Sequence, residues 1–265
     1  MGQLVGEGLA PCVAVIQHAA DCPPGRVGQW LVEAGCELDV FACHEGEEPP
    51  FSLDPYAGLL VLGGAMGADD DAAFPWLTPT KQLLARAVAD ELPTLGICLG
   101  LQLLAVACGG RVARSGTGPQ LGVRPIDRTA ASVADTLLTG LELSEAVHWN
   151  HDLVTELPPG AVVLTTSTGA VQSLRLGRRA WGVQFHPEVD PATLRRWADT
   201  DVAAGELEAA VADARLAEVE RLDAALVPAW RGLSEQFAGV LTAPAGRVGS
   251  ATHVPGGGPT GEQHP

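Results

Sequence analysis

Cys98 stands in a setting suited to attack on an electrophilic carbon. The chain there reads Pro93-Thr94-Leu95-Gly96-Ile97-Cys98-Leu99-Gly100, an apolar strand entering a Gly-x-Cys-x-Gly turn, then an apolar helix beginning Leu101-Gln102-Leu103-Leu104. Flanking glycines permit the sharp strand-to-helix turn that exposes a nucleophile. The helix points its N-terminal amides and positive dipole end at the sulfur, which favours the thiolate. Free cysteine is also a common buried residue, so position alone leaves a structural thiol open. A second segment, Trp181-Gly182-Val183-Gln184-Phe185-His186-Pro187-Glu188, bears on that choice. Here an apolar strand ends in a histidine and a carboxylate at i and i+2. An extended backbone puts both on one face, and Pro187 stiffens the link between them. A thiol needs a base within hydrogen-bond reach, and the base needs a third group to hold its tautomer. Cys98, His186 and Glu188 supply those three roles.

Bringing such distant residues together requires a scaffold. Short apolar runs alternate with helical patterns, which predicts βαβ units and a mostly parallel sheet. The predicted strands are Cys12 to Ile16, Glu37 to Ala42, Leu59 to Leu62 and Leu95 to Cys98. Helices are predicted over Arg26 to Ala34, from a Thr78 cap and Pro79 through Ala89, and over Pro191 to Ala198. Ligands of such sheets lie at strand carboxyl ends near a switch in strand order, where Gly63-Gly64 and Cys98 fall. Between Gly109 and Arg179 the runs are Gly122 to Ile126, Val147 to Trp149, Val162 to Thr166 and Val171 to Leu176. They predict an antiparallel or mixed extension of the sheet, with a short helix over Ala131 to Leu138. Leu207, Val211, Leu222, Leu226, Trp230, Leu233 and Phe237 predict an amphipathic helix over 206–238, kinked or divided at Pro228. The Gly- and Pro-rich end from Thr242 reads as disordered. The expected organisation is one domain over 1–200, a helical extension over 201–241 and a tail over 242–265.

Composition sets outer limits. The 265 residues are 46% hydrophobic, enough for one substantial core, and carry a net charge of -16. So acidic a chain argues against nucleic acid as a direct partner. Its six cysteines form no Cys-x-x-Cys pair and a chain this size needs no disulfide staples, so they read as reduced thiols in a cytoplasm. Neither an export signal nor a membrane span is legible. Asp69-Asp70-Asp71 has no spaced partner carboxylates and reads as a solvated loop, so no metal site is expected.

Taken together, the elbow, the Phe-His-Pro-Glu block and Leu59-Leu60-Val61-Leu62-Gly63-Gly64 resemble the class I (triad) glutamine amidotransferases, in order and spacing, over residues 12 to 200. The resemblance implies a flavodoxin-like α/β three-layer sandwich with a mostly parallel central sheet and a small mixed or antiparallel extension. It implies hydrolysis of the glutamine side-chain amide by Cys98, His186 and Glu188 through a γ-glutamyl thioester, without a cofactor. The backbone amides of Gly64 and Leu99 would receive the oxyanion, and Gln102 and Gly63 would contact substrate. The family often has a Trp-x-x-His-x-Asp-like segment beside this site; here Asn150 stands where histidine is frequent, while Asp152 is kept. The substrate would be L-glutamine or another γ-glutamyl compound.

Nothing after residue 200 has the length or the phosphate-binding loop of a synthetase, so an ammonia acceptor would belong to a separate ATP-dependent synthetase subunit. Three readings stay open: a glutaminase subunit serving such a partner, a stand-alone γ-glutamyl hydrolase or peptidase, and a catalytically silent binding module.

Overall fold

The computed structural model describes residues 10–242. In its first half β1 (Cys12–Gln17), α1 (Gly25–Glu33), β2 (Glu37–Ala42), β3 (Gly58–Val61), α2 (Leu77–Ala89), β4 (Thr94–Ile97) and α3 (Leu99–Ala107) alternate as βαβ units. A strand-rich stretch follows: β5 (Arg111–Arg114), β6 (Gln120–Pro125), β7 (Asp127–Arg128), α4 (Ala130–Val133), β8 (Glu145–Asn150), β9 (Asp152–Glu156), β10 (Val162–Ser167), β11 (Ala170–Leu176) and β12 (Ala180–Val183). Two helices, α5 (Pro191–Ala204) and α6 (Ala209–Thr242), come last.

Eight strands form one sheet in the order β2-β1-β3-β4-β12-β11-β10-β7. The pairs from β2 to β12 are parallel and those from β12 outward antiparallel. The architecture is thus α/β with a mostly parallel sheet and an antiparallel edge. Two antiparallel ribbons, β5-β9 and β6-β8, stand apart from it. β1, β3 and β4 are apolar runs because helices cover both faces of a parallel sheet. On one side Val27, Leu31, Leu194, Leu233 and Phe237 from α1, α5 and α6 fill the core; on the other Leu83, Leu84, Leu101 and Leu104 from α2 and α3 do so.

Several boundaries differ from the sequence reading, each for a local reason. Thr78 is not the cap of α2: the helix starts at Leu77 behind Trp76, and the Thr78 hydroxyl donates to Asp71 instead. The helix after the elbow starts at Leu99, two residues earlier than the apolar run suggested, because the turn closes within Cys98. The helix expected over Ala131 to Leu138 shrinks to Ala130–Val133. The Arg128 guanidinium takes the Ser132 carbonyl, which a longer helix would have used internally, together with those of Leu138 and Leu141 beyond it. Helix α5 continues past Ala198 to a left-handed Gly205. α6 passes through Pro228 undivided; Pro228 and Ala224, whose carbonyl it cannot bond, both face solvent. Val211 is exposed, and Ala212, Leu216 and Val219 turn inward in that part of the helix. The predicted tail lies outside the described residues except Thr242, which ends α6. Among the described residues no helix is long and apolar enough to cross a membrane.

Candidate active site

Four loops leave the carboxyl ends of adjacent parallel strands β1, β3, β4 and β12, and the predicted site residues lie on or beside them. After β4 the chain turns at Cys98 with φ 51 and ψ -104, a conformation few side-chain-bearing residues adopt. The Cys98 amide donates to the Val183 carbonyl at 2.8 Å, tying the turn to the neighbouring strand end. Gly100 lets α3 seat against β3, since a Cβ there would lie 2.1 Å from the Val61 carbonyl oxygen.

Beyond Val183 the expected extended segment is instead bent, at residues 184–185 and again at 187–188. The His186 amide donates to Val147 at 2.9 Å, and its Nδ1 lies 2.7 Å from Glu188 Oε1. Both side chains are buried, at 3% and 4% exposure. Burial alone would lower the His186 pKa, but the charges of Glu188 and Cys98 outweigh it and raise the pKa above the ordinary imidazole value. His186 Nε2 makes no hydrogen bond of full geometry among the described residues, yet the Cys98 side chain lies near enough to raise the pKa of the ring. A Cβ on Gly63 would sit 3.4 Å from His186 Cε1 and 3.6 Å from Cys98 Cβ, so both side chains lie against Gly63. α1 fixes the acid from behind: Arg26 N–H donates to the Glu188 carbonyl at 2.9 Å. Only glycine fits before it, because Gly25 has φ +50 and a Cβ would lie 2.2 Å from that carbonyl oxygen.

The Leu99 amide opens α3 and has no carbonyl one turn back, and the Gly64 amide makes no hydrogen bond among the described residues. Two lobes open beside the sulfur. The first, about 100 Å³, is lined by Cys98, His186, Trp149 and Trp197, with Asp21 and Asp201. The second, about 140 Å³, is lined by Cys98, Gln102, Asn150 and Asp152, with His151 and Glu206. Gly64, Ala65, Trp149 and Asp201 line both. Gln102 donates to the Asp152 carbonyl at 3.1 Å, as does Asn150, whose own Oδ1 is buried without a partner.

Sequence reasoning overlooked Gln184. Its amide nitrogen donates to Cys98 Sγ at 3.4 Å and its oxygen accepts from Gln102 at 3.3 Å, linking the elbow to the second lobe. Nothing local marks it, since it stands between the apolar Val183 and Phe185. His18 was also missed. It is buried under the Gly64 loop, where its Nδ1 accepts from Trp76 Nε1 at 3.1 Å. His148 is fully buried against Gln172 and Ala146, away from both lobes. Asp71 is engaged by Lys81 and Thr78, and Asp70 accepts from the Gly67 amide. No group of His, Cys, Asp or Glu among the described residues could hold a metal ion.

A buried thiol, an imidazole oriented by a carboxylate, and two unengaged amides can together perform acyl transfer to sulfur. Comparison with known proteins points the same way. The family model "Glutamine amidotransferase class-I" matches residues 26–197. Gamma-glutamyl peptidase 5 of Arabidopsis thaliana is 29% identical over 198 residues, 72% of this chain and 77% of that protein. GMP synthase of Thermus thermophilus is 43% identical over 133 residues, 49% of this chain but 24% of that protein. A solved glutamine amidotransferase from Thermotoga maritima superimposes with a TM-score of 0.75 at 27% identity, covering 86% of this chain and 98% of that one.

Proposed function

The chain belongs to the class-I glutamine amidotransferase family, and from that premise we propose that it hydrolyses the side-chain amide of L-glutamine with Cys98, His186 and Glu188. The Cys98 sulfur attacks the γ-carboxamide carbon while His186 takes the thiol proton or holds the thiolate as an ion pair. The tetrahedral oxygen is received by the Gly64 and Leu99 amides; one such donor is worth about 3 kcal/mol of barrier. His186 then protonates the departing nitrogen, leaving a γ-glutamyl thioester. Water activated by the same imidazole releases glutamate, and Glu188 holds the ring's tautomer throughout. Gln102, Gly63, Asn150 and Asp152 hold the γ-glutamyl part.

The observation that carries this reading is the buried imidazole of His186, bonded at Nδ1 to Glu188 at 2.7 Å and raised in pKa by both Glu188 and Cys98, in a cavity that Cys98 also lines. Cys98→Ala should lower glutamine turnover by about 10³-fold or more and abolish covalent labelling by a glutamine-like chloroketone. Unchanged turnover would overturn the assignment.

The fate of the nitrogen divides two forms of this proposal. The relation to GMP synthases, of which the match covers about a quarter, supports release of ammonia to a separate synthetase. The match to most of a γ-glutamyl peptidase supports hydrolysis of γ-glutamyl compounds with water as the only acceptor. Purified enzyme separates them: the first form shows low activity that rises when the synthetase is added, the second substantial activity alone on γ-glutamyl peptides.

A further inference from the structure

We propose that the lobe beside His186 is a leaving-group subsite selective for cationic amines, so that the preferred substrates are γ-glutamyl amides of an amine carrying a second positive charge. This rests on the catalytic reading above and extends it to the part of the substrate that leaves. His186 lines the first lobe and not the second, whereas Gln102, Asn150 and Asp152 line only the second. The group that protonates the departing nitrogen must face it, so the first lobe receives what is released and the second keeps the γ-glutamyl part.

His186 lines this lobe with a side chain only 3% exposed, so its imidazole lies against whatever docks there. At about 100 Å³ the lobe has room for several water-sized groups, where ammonia needs one. Its walls are Trp149 and Trp197, and its charged lining is Asp21 and Asp201, with no Lys or Arg; Trp149 and Asp201 stand on the border with the second lobe, whereas Asp21 and Trp197 line the first alone. Asp201 accepts from Trp149 Nε1 at 2.8 Å, and neither carboxylate forms an ion pair among the described residues. An ammonium group entering there would meet two uncompensated carboxylates and two aromatic rings. The net charge of -16 would draw it in from a distance.

The reaction balances with water alone. The Sγ–C bond forms as the C–N bond breaks, and the amine nitrogen leaves with the proton from His186. Water then adds to the thioester, and the thiolate departs, giving glutamate and the free diamine.

Three amides of one length provide the test: γ-glutamyl derivatives of 1,3-diaminopropane, propylamine and β-alanine, alongside glutamine. The expected order of kcat/KM is cationic, neutral, anionic, with about a tenfold step between the first two at low ionic strength, narrowing as salt is added. Asp21→Asn and Asp201→Asn should each lower the cationic-to-neutral ratio about threefold. Equal or reversed preference, or turnover of glutamine alone, overturns the subsite while leaving the glutaminase reading intact. Absence of Cys98-dependent turnover with every compound overturns both.

Discussion

The imidazole of His186 is held between opposing influences: burial favours its neutral form, while Glu188 and the sulfur favour the charged one and prevail. Because its folded pKa lies above the unfolded value, its contribution to stability is complete below the ordinary imidazole range. That contribution is lost as pH rises through the raised pKa. Replacing Glu188 with Gln keeps the shape but removes the charge, so the alkaline limb of the kcat/KM profile should move to lower pH. Turnover should fall about 10- to 100-fold, since the carboxamide is a weaker acceptor and can present its NH2 to the ring instead, loosening the tautomer. An unmoved alkaline limb in a pH-rate series would argue against this role. At this scale much was legible: the short spacing pairs His186 with Glu188, although the backbone there bends rather than running extended, and two glycines flank Cys98. Gln184 was hidden because a glutamine between apolar residues carries no chemical signature until its neighbours in space are known. Asn150 and Asp152 have their places set by the β8–β9 turn, which local pattern indicates only loosely.

Among the elements, α6 has the longest reach. Trp230 is 2% exposed and stacks on Phe185 at 5.3 Å, directly beside His186 in the chain. Asp223 holds Arg26 of α1 through two hydrogen bonds of 2.6 and 2.9 Å, and the Arg26 amide in turn holds the Glu188 carbonyl. Trp230→Ala should therefore cost about 3–5 kcal/mol in urea unfolding. It should also depress turnover in protein that remains folded; full activity there would show that α6 does not support the His186 strand. The parallel strands were legible because burial on both faces leaves continuous apolar runs. The ends of α2, α4 and α5 were not, because each is decided by a side chain arriving from elsewhere or by a polar turn that propensity underrates. Nothing local reports that Arg128 will claim three carbonyls, or that the Pro228 face will look outward into water.

For the molecule as a whole, two other histidines govern behaviour in acid. Burial pushes His18 and His148 down to about 4, so both stay neutral in the fold and gain protons only on unfolding as pH falls below 6.5. Each should remove about 2 kcal/mol of stability between pH 7 and 5, partly offset by His186, which acts with the opposite sign. Urea titrations at the two pH values should show this loss, and His18→Gln should be less acid-sensitive by roughly one histidine's share. Equal sensitivity of variant and parent would refute the assignment. The division of the cleft has a different consequence. Sulfur and imidazole are carried on the ends of central strands, whereas Asp21, Trp197 and Asp201 come from the β1–α1 loop and the outer helix α5. On the proposed reading, breaking the bond and recognising the group that leaves are encoded in separable parts of the chain, so descendants of this fold could acquire new appetites by editing its periphery while the reactive machinery is inherited untouched.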